Sequence, residues 1–472
     1  MAAFCNSLNH CIRSVAMKLG FKFLAILMVC LLFSAIMFSI NDLVDQRQEL
    51  ATQVNREMAN QYVSEQQVLA PFALIPIVQT CDAPPQNLTM QTVCEKRTRW
   101  VSVAAQEATW NNDFQVDDTT LKRGIYHAML FRNQLAYQAQ YDLSSINVSA
   151  QEHIDWAQAQ WVWLVSDQRG VNQAPTLDVN GQKHTMRLVL QTHPRIEGAY
   201  YAANMSTPTH STVKIQLQAA LSGTSQLDLL PLAATQIHMQ SPWSHPKFVG
   251  SNLPESRQVQ DQGFKAAWNS AFMNESNQAY LQQCLNSKDC KISLHSAEQI
   301  WQSAAIAVFQ PVNAYTLTDR AIKYALLFVL MVFGTFGLFE VLKDLRVHPV
   351  QYGLVGAALA VFYLLLLSLS EHLGFTLAYV IAASACVLLI ACYVASVLHS
   401  WLRASVLSAL LLSLYGVLYF LLHTSEWTLI LGSSLVFAAL AAIMLLTRKL
   451  DWYALEQRHV SRKPFAPETD DT

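Results

Sequence analysis

The chain has 472 residues, of which 52 % are apolar and only 14 % are charged, whereas soluble proteins carry roughly 25 % charged residues. This composition excludes an ordinary cytosolic enzyme, and the high apolar content excludes an intrinsically disordered chain. The formal net charge is −2, without a basic stripe or an arginine-rich arm, so nucleic acid is not an expected partner. The charge deficit is concentrated in residues 324–447, which contain seven charged side chains in 124 residues.

The first hydrophobic segment, Phe23–Ile40, is long enough to cross a bilayer. It contains no charged residue, and a helix needs about 20 apolar residues to span the hydrocarbon core. A secretory signal peptide would have a shorter apolar region of ~7–15 residues and an A-x-A-like cleavage site, which this segment matches poorly. We therefore predict a cytoplasmic arm over residues 1–22 and an uncleaved transmembrane helix over residues 23–41.

Residues 42–320 are expected to fold outside the cytoplasm as one large domain or two small ones. Asp42–Leu69 is polar with apolar residues at helical spacing, so we expect the first helix to continue through it. Beyond Pro71, apolar and polar residues alternate in segments such as PFALIPIV, HTMRLVLQT, STVKIQLQAAL and AATQIHMQS, which predicts half-buried strands. We expect a mainly antiparallel, sandwich-like β domain, with helical pieces near GFKAAWNSAFM and AEQIWQSAAIA.

Four cysteines of this domain are candidates for disulfides: Cys81, Cys94, Cys284 and Cys290. An even number of cysteines in an oxidising compartment favours bridges. The sequence-local pairing would join Cys81 to Cys94 and Cys284 to Cys290, but four cysteines allow three pairings, and four free thiols are the alternative. Neither a CxxC spacing nor an adjacent histidine cluster indicates a zinc site, and no cofactor is predicted.

Five further hydrophobic segments within residues 321–447 predict five more transmembrane helices. They are roughly Tyr324–Leu342, Val350–Ser370, Phe375–Leu398, Ala404–Leu422 and Trp427–Leu446. Lysine and arginine occur in the N-terminal arm, in the 343–349 and 399–403 loops and in the tail 448–472, but not in the alternate loops. By the positive-inside rule, this distribution fits six helices with both termini in the cytoplasm and the large domain in the periplasm. Arg320 and Lys323 are the exception.

Ionisable residues at membrane depth are functional candidates by default, and here the polar candidates lie at span ends: Glu340, His348, Tyr352, Glu371 and His372. Glu371 beside His372 could relay protons, although an exit loop that reaches the lipid headgroups is the favoured interpretation. His348-Pro349 is expected to open the third span, with Tyr352 as an interface anchor. The spans are otherwise rich in Leu, Ala and Val, which disfavours an ion-coupled carrier.

The common catalytic fingerprints are missing from the sequence. It contains no GxxxxGK[ST] phosphate loop, no HExxH helix, no GxSxG nucleophile elbow and no GxGxxG turn, each of which would place reactive groups at a known spacing. We therefore predict no catalytic, cofactor-binding or metal-binding residue.

Several segments of the chain form an uncommon combination. They are QPVNAYTLTDRAIKYALLFVLMVFGTFGLFEVL, RVHPVQYGLVGAALAVFYLLLLSLSEHLGFTLAYVIAA, LKRGIYHAMLF, SPWSHPKFVGSNLP and GFKAAW. Together they closely resemble the CreD family of bacterial inner-membrane proteins, and the layout of one anchor, a large periplasmic domain and a membrane block is also similar. The resemblance implies a role in cell-envelope integrity under a two-component system, in colicin tolerance and in envelope or β-lactam stress responses. It implies no catalytic residue and no ligand.

The leading hypothesis is a non-enzymatic envelope-integrity protein of the bacterial inner membrane. Its outer domain would meet a periplasmic or inner-membrane protein partner, while its helices would contact membrane lipids. The alternative is a membrane-embedded transporter, or an enzyme that handles lipid or cell wall with the span-end polar residues. A receptor that passes an outer signal inward is a third hypothesis, and it would need an inner partner because the inner loops and tail are too short for a signalling domain.

Overall fold

The computed structural model of the chain describes residues 2–79, 97–191, 193–269, 273–287, 289–294, 301–308, 314–343, 348–398, 401–424 and 428–448. The chain divides into two compact units, Met1–Leu50 with Val312–Thr472, and Ala51–Pro311. The first unit is helical and the second is mainly β.

The first helix, α1 (Ala2–Tyr62), runs without a break through the predicted anchor and into the polar segment after it. Polar side chains four residues apart share one face of a helix and stabilise it, and Asn41 Nδ2 donates a hydrogen bond to Asp45 Oδ2 at 3.1 Å in this way. We predicted the helix as far as Leu69, and this was wrong for the last residues. Gln66–Leu69 is a largely buried strand that pairs with another strand of the β unit, and such pairing overrides a local helical pattern.

Besides the end of α1 and two short 3₁₀ turns, the described part of the β unit contains eighteen strands and one α-helix. In chain order they are β1 (Gln66–Leu69), β2 (Phe72–Gln79), β3 (Thr98–Val103), β4 (Glu107–Arg123), β5 (Tyr126–Asp142), β6 (Glu152–Ile154), β7 (Gln160–Trp163), β8 (Thr176–Val179), β9 (Gln182–Thr185), β10 (Arg187–Val189), β11 (Tyr200–Asn204), β12 (Thr212–Thr224), β13 (Gln226–Leu230), β14 (Ala234–Ser241), β15 (Pro246–Gly250), β16 (Ser256–Gln260), β17 (Gly263–Asn269), α2 (Met273–Asn286) and β18 (Ala304–Val308).

These strands form three sheets. The strand orders are β1-β13-β18-β15, then β10-β11-β7-β2-β3 with β6 beside β2, and β16-β17-β14-β4-β5-β12-β8-β9. The pairings between named strands are antiparallel except those of β1 with β13 and of β14 with β4. The mainly-β prediction is therefore confirmed, and the described sheets number three rather than the two of a simple sandwich.

Aromatic side chains fill the core of the β unit. Trp110, Trp161 and Trp163 are almost completely buried, and Trp110 packs edge-to-face on Tyr137 with ring centroids 5.3 Å apart. Buried tyrosine hydroxyls need polar partners, and the Tyr137 and Tyr141 hydroxyls lie 3.2 Å apart. The tryptophan-rich sequence thus supplies the large apolar area that holds these sheets together.

We predicted helical pieces near two segments; helix α2 begins at Met273, the last residue of the first segment, but the rest of what is described there includes two strands. Within GFKAAWNSAFM, Gly263–Asn269 is β17, in which Phe264, Ala266 and Trp268 face the core. Within AEQIWQSAAIA, Ala304–Val308 is β18, which lies between β13 and β15. Their alanines are good helix formers, but burial between or beside other strands decides the structure because sheet preference depends on packing context.

One disulfide is present in the described part of the β unit. It joins Cys284, which is fully buried near the end of α2, to Cys290, with Cα atoms 4.6 Å apart. This spacing lies in the ordinary range for a disulfide. Cys81 and Cys94 lie outside the described residues, so their state stays a prediction.

The helical unit continues after the β unit with six described helices. They are α3 (Ala314–Lys323), α4 (Ala325–Lys343), α5 (Pro349–Leu373), α6 (Phe375–Leu398), α7 (Trp401–His423) and α8 (Thr428–Thr447). α5 packs against α6, α6 packs against α7, and α3 packs against α5.

Four helices in the described ranges are long and apolar enough to cross a membrane: Leu24–Tyr62, Pro349–Leu373, Phe375–Ser396 and Ala404–His423. α3 and α4 meet at a bend of 47° and make a fifth candidate if the pair is one span. The sixth predicted span coincides with α8, a helix of 20 residues. The structure therefore gives four or five candidate spans, and six spans remain a prediction, as does the periplasmic placement of the β unit.

Candidate functional site

Glu371, close to the end of α5, is the centre of a polar cluster in the helical unit. Its side chain is only 10 % exposed. The Tyr315 hydroxyl of α3 donates a hydrogen bond to Glu371 Oε1 at 3.0 Å, and Arg47 Nε of α1 lies 3.9 Å from the same oxygen. One carboxylate oxygen thus connects three helices that are far apart in sequence.

Each partner reaches Glu371 for a local reason. Tyr315 belongs to the buried face of the short amphipathic helix α3, together with Thr318 and Ile322, and α3 packs against α5. Arg47 stands on the polar stretch of α1 that follows the apolar anchor. An arginine can bring its long side chain across apolar surface and keep its charge near water, and the Arg47 side chain is 45 % exposed.

The geometry of this cluster suits a clamp between helices better than a reactive centre. A hydrogen bond to a charged group contributes about 1.5–3 kcal/mol, whereas an ion pair with a partly exposed arginine contributes ~0–1 kcal/mol because water screens it. The Tyr315 hydrogen bond is therefore the stronger link. Both contacts fix the carboxylate in place and occupy one of its two oxygens.

His372 does not take part in this cluster. It lies on the exposed surface beside Glu371, and none of the hydrogen bonds and ion pairs among the described residues joins the two side chains. A proton relay needs donor and acceptor within hydrogen-bond reach. The cluster therefore gives no geometric support to the relay that the adjacent pair suggested, and Glu371 has its own protein partners.

His348 and Tyr352 have local roles at the start of α5. His348 is the N-cap: its Nδ1 accepts a hydrogen bond from the Val350 backbone at 3.3 Å, while its own backbone N–H donates to Gln351 Oε1 at 3.1 Å. Such a capping box satisfies backbone donors that lack helical partners. Tyr352 is buried and packs edge-to-face on Phe333, with ring centroids 5.5 Å apart.

The five candidates do not converge on one site. Tyr352 and Glu371 lie on the same helix, and their separation of nineteen residues corresponds to about 28 Å along its axis. The side chain of Glu340 is outside the described part of the chain. The candidates are therefore two separate groups, a cap with its aromatic packing at one end of α5 and a carboxylate cluster at the other.

The sequence interpretation missed a polar cluster inside the helical unit. The Tyr379 hydroxyl of α6 donates to the Tyr415 carbonyl of α7 at 2.6 Å, and the Tyr415 hydroxyl donates to Cys386 Sγ at 3.3 Å. Cys386 Sγ donates in turn to the Ala358 carbonyl of α5 at 3.4 Å. Hydrogen bonds of this kind join helices in apolar surroundings. The signal available in the sequence was the presence of single tyrosines in otherwise aliphatic spans.

A second carboxylate that the sequence interpretation missed lies in the β unit. Asp167 Oδ2 accepts hydrogen bonds from the backbone N–H and the hydroxyl of Ser64, both at 3.1 Å, and from Arg169 Nη2 at 2.6 Å. Burial raises the pKa of Asp167, but the hydrogen bonds from Arg169 and Ser64 outweigh it and lower that pKa to about 2. The charged carboxylate thus fastens the segment between α1 and β1 to the β unit.

Gly170 makes this attachment possible because a side chain does not fit there. A Cβ atom at position 170 would overlap Gln66 Nε2 and the Ser222 carbonyl oxygen. The absence of a side chain allows the Gln66 amide to reach the Asp167 carbonyl, to which it donates a hydrogen bond at 2.9 Å. The short sequence SDQRG therefore supplies both the charged Asp167 carboxylate and the glycine that lets Gln66 approach the backbone.

No candidate metal centre emerges from the described residues. Among them, no group of three or more His, Cys, Asp or Glu side chains could hold a metal ion. The described polar clusters consist of single carboxylates, tyrosines and one thiol that bind one another or the backbone.

Comparison with known proteins supplies the family. The sequence model of the family described as Inner membrane protein CreD matches residues 18–453. The chain belongs to the CreD family. Inner membrane protein CreD of Escherichia coli (strain K12) is 30 % identical over 428 residues, which cover 90 % of this chain and 92 % of that protein. Membership, together with the apolar helices, makes this chain a multi-pass inner-membrane protein.

Similarity to solved structures is slight. A mutant M1 zinc metallopeptidase from Deinococcus radiodurans gives a TM-score of 0.19 and 11 % identity, covering 35 % of this chain and 38 % of that one. The unmutated enzyme gives a TM-score of 0.18 and 12 % identity over 35 % of this chain and 38 % of that one. Likenesses at this level carry no argument about the activity of the CreD-family chain.

Proposed function

We propose that this CreD-family protein maintains the integrity of the bacterial cell envelope without catalysing a reaction. In this proposal the β unit lies in the periplasm and meets an envelope or inner-membrane partner, while the helices hold it in the inner membrane among lipids. The family match over residues 18–453 carries the proposal, because it covers both the helices and the β unit.

The polar groups of the helical unit support a structural role for the helices. Glu371 bonds to Tyr315, and Tyr379, Tyr415 and Cys386 bond to one another or to backbone carbonyls. Groups that act on a substrate need free donor or acceptor positions in a cleft. In these clusters the polar groups instead join one helix to the next, as expected of an anchor that must stay assembled.

The direct test is deletion of the gene followed by challenge with a detergent, a β-lactam and a colicin. We expect altered survival of the deletion strain, in conditions where the wild-type gene is expressed, and restoration by the intact gene. Survival that equals that of the parent under all three challenges would overturn the proposal. A strain complemented with residues 42–320 removed from the chain separates a role of the β unit from a role of the helices.

The alternative, a membrane-embedded transporter or an enzyme acting on lipid or cell wall, depends on the span-end polar groups. Replacing Glu371→Gln and His372→Asn together removes both titratable groups but keeps polar side chains at these positions. We expect this variant to complement the deletion fully when it is present at wild-type level in the membrane. Lost complementation at normal protein level would favour the alternative, and Glu49→Gln on exposed α1 is the matched control for loss of a carboxylate.

A further inference from the structure

The eight-stranded sheet of the β unit has one face that is exposed over much of its area. In β14 and in the first eight residues of β12, buried and exposed residues alternate, so one side of the sheet faces the aromatic core and the other faces outward there. The outward side holds uncharged amides from five strands: Asn111, Gln134, Gln138, Gln216, Gln218, Gln236, Gln240 and Gln258. These side chains form no hydrogen bond with another described residue, which leaves their donors and acceptors open to a ligand.

Strand register arranges the outward residues in rows across the sheet. One row contains long side chains and runs through Gln258, Lys265, Gln240, Asp113 and Gln134. The next row has mostly shorter side chains and runs through Ser256, Ala267, His238, Asn111 and Ala136. A third row contains Asn269, Gln236, Thr109, Gln138 and Gln216. The row that contains both alanines therefore forms a low floor next to the row of long side chains.

Together with Glu255 and Arg257, the first two rows line a trough of about 910 Å³, and the third row lies outside it. It crosses five strands, from β16 to β5, over about 19 Å. These dimensions suit a section of an extended polymer that lies across the strands.

The charges around the trough indicate what kind of polymer fits. Its charged lining residues are two acids, Asp113 and Glu255, and two bases, Arg257 and Lys265, so their formal charges cancel. A polyanion or a polycation would meet repulsion from one pair, and a lipid chain would meet unpaired amides that are costly to desolvate. An uncharged polymer with many hydrogen-bonding groups matches the lining best.

Amide side chains complement a glycan in particular. Each Asn or Gln offers two donors and an acceptor, and a sugar hydroxyl or acetamide also offers both kinds of group. Ala136 and Ala267 give the floor small apolar patches on which an acetyl methyl can rest. We propose that this trough binds a neutral, N-acetylated section of a glycan strand. The proposal rests on the periplasmic placement made under the proposed function.

A peptide that adds to the sheet edge is the competing occupant, since β16 is exposed at all five residues and ends the sheet. Peptides that bind by strand addition need an accessible edge. Arg257, however, is paired with buried Ala266, and a charge at a core-side position of an edge strand discourages further pairing. The face of the sheet is therefore the better binding surface.

The test measures binding of N-acetylglucosamine hexamer to the purified full-length protein in nanodiscs. We expect saturable binding that is at least tenfold weaker in the variant Asn111→Ala with Gln240→Ala. The control variant, Gln216→Ala with Gln218→Ala, removes amides of the same face outside the trough, and its affinity should stay within twofold of the wild type. All four residues are exposed, so both variants should keep the wild-type unfolding temperature.

Four results would overturn the proposal: no binding at millimolar hexamer, equal losses in both variants, equal binding of a cellulose hexamer that lacks acetamides, or preferential binding of an extended peptide. The measurement uses purified protein and no envelope challenge. A deletion strain without a phenotype would therefore contradict the proposed function but not the glycan site. Failed binding would contradict the glycan site but not the proposed function.

Discussion

Glu371 and Asp167 each collect bonds from residues that are distant in the sequence. Glu371 accepts from Tyr315, fifty-six positions away, and Asp167 accepts from Ser64, one hundred and three positions away. A carboxylate that is charged and hydrogen-bonded in the folded state has a lowered pKa and makes stability depend on pH. Asp167 shows this effect and allows a quantitative prediction.

We expect Asp167→Asn to destabilise the β unit at neutral pH and to reduce its acid sensitivity. The folded-state pKa of about 2 lies below the unfolded value of ~3.9. The carboxylate therefore contributes stability above pH ~4 that is lost as the pH falls through 2, on the order of 2 kcal/mol. Thermal unfolding of the full chain, followed by tryptophan fluorescence between pH 2 and pH 7, measures this contribution.

The control for this measurement is Asp261→Asn, because Asp261 is exposed in the turn between β16 and β17. It should unfold like the wild type at every pH. If Asp167→Asn showed the same pH dependence as the wild type, the attachment between Asp167, Arg169 and Ser64 would not contribute to stability in the way that the contacts indicate.

At the scale of residues, local interactions could be predicted and distant ones could not. The His348-Pro349 pair indicated the start of a helix, and His348 is the N-cap of α5. The partners of Glu371 were not predictable, because nothing in the order of residues states that α3 and α1 meet the end of α5. The hydrogen bond of Tyr379 to Tyr415 was missed for the same reason, because the two ends of a hydrogen bond between helices do not follow a regular sequence spacing.

At the scale of elements, the cluster around Glu371 predicts a specific contact between α1 and α5. Arg47→Cys with Glu371→Cys should form a crosslink in membranes with a short thiol reagent, in a background where exposed Cys392 is serine. The matched pair Arg47→Cys with His372→Cys should react several-fold less, because position 372 is rotated by about 100° around α5. Mass spectrometry of the linked peptides identifies the product. Equal yields from both pairs would contradict the contact.

The disulfide of the β unit predicts a loss of stability on its removal. Cys290→Ser leaves Cys284 in its buried position while opening the loop of separation 6. The chain-entropy estimate for so short a loop is about 2 kcal/mol. We expect a lower unfolding temperature for this variant and an unchanged one for Cys392→Ser. An unfolding temperature equal to that of the wild type would mean that the packing around α2 does not need the bond.

The elements that could be predicted are those whose pattern matches their burial. The alternating strands in STVKIQLQAAL and AATQIHMQS are β12 and β14, and the long apolar segments of residues 349–423 are α5, α6 and α7. Helices were wrongly predicted at the positions of β17 and β18. Alanine fits both a helix and a crowded sheet, and only the neighbouring strands decide between the two. β1 pairs in parallel with β13. This pairing could not be predicted, because no local sequence pattern indicates which distant strand is the partner.

At the scale of the whole molecule, the number of spans determines whether the C-terminal tail lies on the same side of the membrane as the N-terminus. Two termini in the same compartment require an even number of crossings. The described helices supply four spans, or five if the bent pair of α3 and α4 counts as one. The basic residues Arg448, Lys449, Arg458, Arg462 and Lys463 after α8 favour a cytoplasmic tail. With a cytoplasmic N-terminus, a cytoplasmic tail fits either the four long helices alone or six spans in which the bent pair and α8 also cross, and we expect six.

Labelling of single cysteines in spheroplasts tests this parity. In a background where the cysteines other than Cys284 and Cys290 are serine, Asp261→Cys should react with an impermeant thiol reagent in intact spheroplasts, since its side chain is exposed in the β unit. Asp470→Cys, in the tail, should react only after lysis. Reaction of Asp470→Cys in intact spheroplasts would place the tail outside and contradict six spans with both termini in the cytoplasm. Protection of Asp261→Cys would contradict the periplasmic placement on which the glycan site depends.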